Sequence, residues 1–178
     1  MRSVLSFVLF GLTLIACGNE SQINAATQLA ATVDSVARPK FTTLHFSVDG
    51  KPCSATIDER YQGFAHKNEF PLSLFVTITT AEKDGSGHPT TGEAEAFSKL
   101  EAELLDSLNA ASLNAFIGKT TMNGYRDLIF YIKHEDQAKI NKALSDLQKR
   151  HSRIKNFTFE DDPQWEAVAE FYGAMERN

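Results

Sequence analysis

Apolar and polar residues alternate with a period of two over residues 41–58, 72–80, 115–133 and 154–160, and apolar residues recur at helical spacing between and after these runs. In the first run Leu44, Phe46 and Val48 alternate with His45 and Ser47, Asp49-Gly50 supplies a turn, and Cys53, Ala55 and Ile57 alternate on the return. A two-residue loop sets Phe46 opposite Cys53 and Leu44 opposite Ala55. Pro52 has no amide for a ladder, so the return strand is expected at a sheet edge or to begin after it. A polar loop holding Tyr61, Phe64 and His66 follows. In residues 72–80, Leu72, Leu74, Val76 and Ile78 point one way, and Ser73, Phe75, Thr77 and Thr79 the other.

Asn123-Gly124, between two alternating runs, predicts a type I′ hairpin with φ > 0 at both central residues. Ile117 then pairs with Phe130 and Lys119 with Leu128. Ile117, Leu128, Phe130 and Ile132 share one side; Phe116, Gly118, Ile129 and Tyr131 share the other, joined by Phe75 of the neighbouring strand.

Thr90-x-x-Glu93 reads as a capping box before a helix carrying Phe97, Leu100, Leu104, Leu105 and Leu108 and ending near Asn109. Asp136 is placed to cap a second helix, with Ile140, Ala143, Leu144 and Leu147 buried and Lys149, Arg150 and His151 at its C-terminal end. Asp162-Pro163 reads as N-cap and first residue of a last helix, with Trp165, Val168, Ala169 and Tyr172 on one stripe. From residue 72 the order is strand, helix, strand, strand, helix, strand. This predicts an α+β, ferredoxin-like (βαββαβ) antiparallel sheet with two helices on one face, an extra N-terminal β-hairpin and a C-terminal helix. Right-handed crossovers put the strands of residues 72–80 and 125–133 in its centre.

The N-terminus reads differently. Arg2 precedes an apolar run over residues 4–14, which is too short for a bilayer span of about 20 residues. Leu14-Ile15-Ala16-Cys17 resembles a bacterial lipobox. The resemblance implies that residues 1–16 are a lipoprotein signal peptide and that Cys17 carries a diacylglyceryl thioether and an acylated amine; a plain cleaved signal is the alternative. Gly18 in place of aspartate favours the outer membrane by the common sorting rule. Residues 17–40 read as a lipidated tether closed by Pro39, although Ile23, Ala26, Ala30, Val33 and Ala37 also suit a weak amphipathic helix. Residues 41–178 remain for a single domain. The expected address is the periplasm or the exterior.

Charge and chemistry narrow the function. A net charge of −5 argues against a nucleic-acid partner. Once Cys17 is lipidated, Cys53 has no intramolecular disulfide partner. His45, His66, His88, His134 and His151 show no metal-ligand spacing, and neither metal nor cofactor is expected. The loop Asp84-Gly85-Ser86-Gly87-His88 is the best candidate for an enzyme, alone or with Cys53 as nucleophile. Against it, a flexible turn explains the loop, and a small buried hydrophobe explains Cys53. Asp161 and Asp162 could form an acid/base pair, but capping explains Asp162 and the negative charge favoured at a helix N-terminus explains both; Trp165 could stack a ligand but reads as a core anchor. The open question is the sheet's second face. Phe75, Phe116, Ile129 and Tyr131 form a possible binding face, to be covered by the first hairpin or last helix in cis, by a second copy or protein partner, or by a small ligand. Cover in cis is the favoured reading.

Several short pieces resemble an uncharacterised bacterial family, domain of unknown function six-nine-five: Asp49-Gly50-Lys51-Pro52, Phe70-Pro71, Asp84-Gly85…Pro89-Thr90, Gly118-Lys119-Thr120-Thr121-x-Asn123-Gly124-x-Arg126, Phe130-Tyr131 and Asp161-Asp162-Pro163-x-Trp165. The resemblance runs over roughly residues 41–172. It implies a ferredoxin-like domain, sometimes found beside domains similar to a protein regulator of ribonuclease E. It brings no established activity and no functional residues, and a lipidated member departs from the usual cytoplasmic ones. The expected function is that of a non-enzymatic binding or envelope-associated lipoprotein, held to the membrane by lipid on Cys17, with a protein partner or homodimer. The alternative is a small enzyme using the Asp84–His88 loop.

Overall fold

The computed structural model describes residues 38–85 and 87–177; the expected signal peptide, Cys17 and nearly all of the expected tether lie outside the described residues. The chain forms β1 (Phe41–Val48), β2 (Lys51–Asp58), β3 (Leu72–Thr79), α1 (Thr91–Ala111), β4 (Asn114–Met122), β5 (Tyr125–Ile132), α2 (Gln137–Arg150), β6 (Ile154–Asp161) and α3 (Glu166–Glu176). The class is α+β. One sheet runs in the order β1-β2-β4-β5-β3-β6, with every neighbouring pair antiparallel. It is more extended than a four-stranded βαββαβ sheet, because the first hairpin joins it edge to edge instead of covering a face. β5 and β3 lie inside the sheet, as expected.

Local chemistry explains the hairpins. Asp49 and Gly50 both have positive φ, 51° and 73°, so the tight turn holds Phe46 opposite Cys53 and Leu44 opposite Ala55. β2 is an interior strand and includes Pro52, contrary to expectation. The β2–β4 ladder begins only at Ser54, and the pair next to the turn, Val48–Lys51, is the hydrogen-bonded one. The missing amide of Pro52 therefore points away from β1, into a stretch with no ladder to break. At the second hairpin Met122 pairs with Tyr125 around a two-residue loop. Only Gly124 (φ 103°) has positive φ there, so the turn is not type I′. Its tip is tied to the end of β3, where the Thr80 amide donates to the Gly124 carbonyl at 2.9 Å.

The pairing inside that hairpin departs from the simple register. Lys119 faces Leu128 as expected, but Phe130 faces Phe116, and Gly118 faces Ile129. Ile117 is the extra residue of a β-bulge, so the expected Ile117–Phe130 pair does not form. Gly118 explains the position of the bulge. Its φ is 143°, and a Cβ there would stand 2.1 Å from the Thr56 carbonyl oxygen of β2. Phe116 thereby moves to the α1/α2 side, with its ring centre 5.0 Å from that of Phe130.

That side carries the main core. Leu72, Leu74, Val76 and Ile78 of β3 and Leu128, Phe130 and Ile132 of β5 pack with Phe97, Leu100, Leu104 and Leu108 of α1 and Ile140, Leu144 and Leu147 of α2; Phe157 and Phe159 pack against them. Each such side chain contributes about 1.5–3 kcal/mol when fully buried. The helix starts differ in detail from their sequence signals. Thr90 caps α1 by accepting the Glu93 amide at 3.3 Å. The Glu93 carboxylate does not reach back to Thr90. It accepts from the Ala81 amide (2.9 Å) and from Arg153 (2.7 Å), joining α1 to the end of β3 and the start of β6. Asp136 makes no cap bond; its carboxylate takes Lys139 at 2.9 Å, and a single 3-10 turn over His134–Asp136 leads into α2.

Candidate binding surface

The second sheet face is closed mainly by the chain's own last helix. Pro163 is not the first residue of α3. The chain turns over residues 162–165, and Trp165 takes a left-handed conformation (φ 61°, ψ 40°) at the helix start. Asp162 still caps from four residues upstream, accepting the amides of Glu166 (2.7 Å) and Ala167 (3.0 Å). The same carboxylate accepts the Tyr131 hydroxyl at 2.5 Å. Trp165 stacks on Tyr131, donates its indole N–H to the Phe70 carbonyl at 3.0 Å, and lies within 6 Å of the rings of Tyr61 and Phe64. Farther along α3 the Tyr172 hydroxyl donates to the Asp58 carbonyl at 3.2 Å. Val168 and Tyr172 continue the buried stripe, whereas Ala169 is exposed.

These contacts set the acidities. Burial, then the Asp162 hydrogen bond and charge, push the Tyr131 phenol far up. Burial alone would raise the Asp162 carboxyl, but the bonds from Tyr131 and the amides of Ala167, Glu166 and Trp165 outweigh it and hold it below the ordinary aspartate value. Asp162 is thus a structural anion, explained by capping. Asp161 is exposed, with its carboxylate 3.1 Å from His134.

The four residues expected to share an open face do not share one. Ile129 and Tyr131 are wholly buried, Phe75 is half-buried, and Phe116 lies on the opposite side of the sheet because of the bulge. The candidate enzymatic groups are also occupied. Cys53 is 3% exposed, with its thiol 3.5 Å from the Lys51 carbonyl. The Asp84 carboxylate accepts the backbone amide of His88 at 3.0 Å, and the two backbones close the loop with a bond from the Asp84 amide to the His88 carbonyl at 2.8 Å. These bonds make a self-closed turn without using the imidazole. Among the described residues no group of three or more His, Cys, Asp or Glu side chains is placed to hold a metal.

Among the described residues, the surface left open is at β1, one of the sheet's two outer strands. Its sequence FTTLHFSV carries no Lys, Arg, Asp, Glu or Pro over eight residues. Such a strand lacks the charges and breaks that usually blunt an edge. Because the pair next to the turn is hydrogen-bonded, the inward-facing backbone belongs to Thr42, Leu44, Phe46 and Val48. Thr43, His45 and Ser47 direct their N–H and C=O groups outward, where no strand among the described residues pairs with them. Beside this edge, Leu44 and Phe46 together with Phe171 and Ala174 of α3 line a groove of about 540 Å³, flanked by Glu170 and Arg177. Phe46 and Phe171 stand 6.5 Å apart, ring centre to ring centre. Sequence reasoning missed this site, since it sought the edge at Pro52. The usable signal was the absence of charge from β1 beside a helix stripe at residues 167, 170, 171, 174 and 177.

A family model described as a family of unknown function (DUF695) matches residues 40–172. No curated protein matches the chain. No solved structure matches it either. Two segments within the matched range meet at the closed face: the Asp162 amide donates to the Pro71 carbonyl at 2.7 Å, and Trp165 donates to the Phe70 carbonyl.

Proposed function

The chain belongs to that family of unknown function, and we propose that it is a non-enzymatic binding protein of the bacterial envelope that engages its partner by strand addition at β1. The open, uncharged edge of β1 beside the α3 groove carries this reading. Strand addition draws affinity from main-chain hydrogen bonds and specificity from pockets for alternate side chains. β1 offers both, with Thr43, His45 and Ser47 outward and Leu44 and Phe46 at the groove. The fold proposed beneath it is a ferredoxin-like unit of β3–β6 with α1 and α2, supported by the order β4-β5-β3-β6 and the single core beneath both helices. The β1–β2 hairpin widens that unit and α3 caps its second face.

The reading includes a lipid anchor at Cys17 and export to the periplasm or exterior, supported by the lipobox-like Leu14-Ile15-Ala16-Cys17, with the outer membrane favoured by Gly18. Among the described residues no helix is long and apolar enough to cross a membrane. In-cell photo-crosslinking of the full chain tests the edge. A photoreactive residue at His45 is expected to give an adduct of discrete mass, and one at exposed Glu95 on α1 is not. No adduct at His45, or equal labelling at both positions, contradicts the reading.

A further inference from the structure

The geometry points to a second copy of this chain as the occupant of the β1 edge, paired antiparallel about a two-fold axis normal to the sheet at His45. The inference rests on the strand-addition reading above and names its partner. The outward groups of β1 recur at Thr43, His45 and Ser47. A two-fold at His45 sets His45 against the second copy's His45, and Thr43 against the second copy's Ser47. Every outward N–H and C=O of those residues then meets a partner, because alternate residues of an antiparallel ladder exchange both bonds. The same register sets Leu44 beside the second copy's Phe46 on the groove side, so the apolar residues of the two edges meet on one face.

The charges at the groove fit the same symmetry. Glu170 on α3 and Arg177 just past its end flank it, and neither has an ion-pair partner among the described residues. A two-fold through the groove brings Glu170 of each copy toward Arg177 of the other. The patch is therefore complementary to itself in charge as well as in backbone bonding, which is what an isologous interface requires. Pairing also removes the exposed edge that an uncharged strand otherwise presents to any neighbouring chain.

The test is sedimentation equilibrium of the full chain, produced in a bacterial host and held in density-matched detergent. A reversible dimer is expected. Glu170→Arg and Arg177→Glu are each expected to weaken it about tenfold, since each creates two like-charge contacts across the axis. The double variant restores opposite charges and is expected to return to within about threefold of the parent. A peptide copying Phe41–Val48 is expected to compete with dimer formation. Emission from buried Trp165 confirms that each variant is folded. A dimer indifferent to both charge reversals and to the peptide overturns the proposed interface. A monomer that binds the peptide overturns the second copy but leaves strand addition standing, and a monomer that does not bind it overturns both.

Discussion

Trp165 stacks face to face on Tyr131, with ring centres 4.1 Å apart and planes 15° from parallel. The two residues lie on different elements, one at the start of α3 and one in β5. Their contact holds the last helix on the sheet, and Asp162 reinforces it by capping α3 while taking the Tyr131 hydroxyl. The second face, left open by α1 and α2, is closed at this point from within the chain.

Trp165→Ala removes the stack and the bond to Phe70 together. It is expected to cost about 3–5 kcal/mol, the range for a large buried aromatic. Tyr131→Phe keeps the stack and takes only the hydroxyl from Asp162, for about 1.5–3 kcal/mol. Urea melts followed by far-UV circular dichroism measure both. Equal losses in the two variants would contradict the dominant role given to the stack.

Asp162 and Asp127 respond to pH in opposite senses. The Asp162 pKa is lowered in the fold, so its stabilisation is present above the unfolded value near 3.8 and is lost as pH falls through the folded value. Asp162→Asn is expected to be less stable by about 2 kcal/mol at neutral pH and to lose less on acidification. Asp127 is raised by burial, with the Thr77 hydrogen bond opposing. Its protonated form suits the fold, and that contribution is lost as pH rises past 3.8 toward the folded value. Asp127→Asn is expected to gain on the parent over that rise. Urea midpoints between pH 3 and pH 7 check both signs.

Gly118→Ala puts a methyl group onto the Thr56 carbonyl across the β2–β4 ladder. The clash is with backbone, which no rotamer change relieves. The expected cost is about 3 kcal/mol or more, with loss of amide protection at the β2–β4 seam. Gly63→Ala meets nothing within 4 Å and bears only the strain of its own positive φ, so it is the matched control.

What was legible in the sequence was local. Alternation and the Asp49-Gly50 turn gave the β1–β2 register, and the apolar stripes located the three helices of the described residues. The bulge at Ile117 depended on the Thr56 backbone passing Gly118, a contact between residues far apart in the chain; a glycine inside a strand was the only hint. The reach-back expected of Glu93 failed for the same reason, whereas Asp162 caps α3 as expected and takes the Tyr131 hydroxyl as well. Their types suited capping, but the partners that complete their bonding lie far off in the chain: Arg153 in the turn before β6 for Glu93, and buried Tyr131 on β5 for Asp162. β1 escaped notice as the open edge because strand order is set by long-range pairing, to which Pro52 was a poor guide.

The proposed lipid anchor can be tested separately. Cys17→Ser is expected to abolish labelling of the full chain by radioactive palmitate and to release it from the membrane fraction. Labelling that persists in the variant would exclude Cys17 as the acylated residue.

The most direct measurement of the binding account is residue-resolved amide hydrogen exchange of the folded chain over a range of protein concentrations. Ile129 and Tyr131 are expected to exchange slowly throughout, because α3 covers their strand. The amides of Thr43, His45 and Ser47 are expected to exchange fast when dilute and to become protected as concentration rises. Fast exchange of those three at every concentration, or protection that persists on dilution, would contradict an edge that is open in the single chain and closed by a partner.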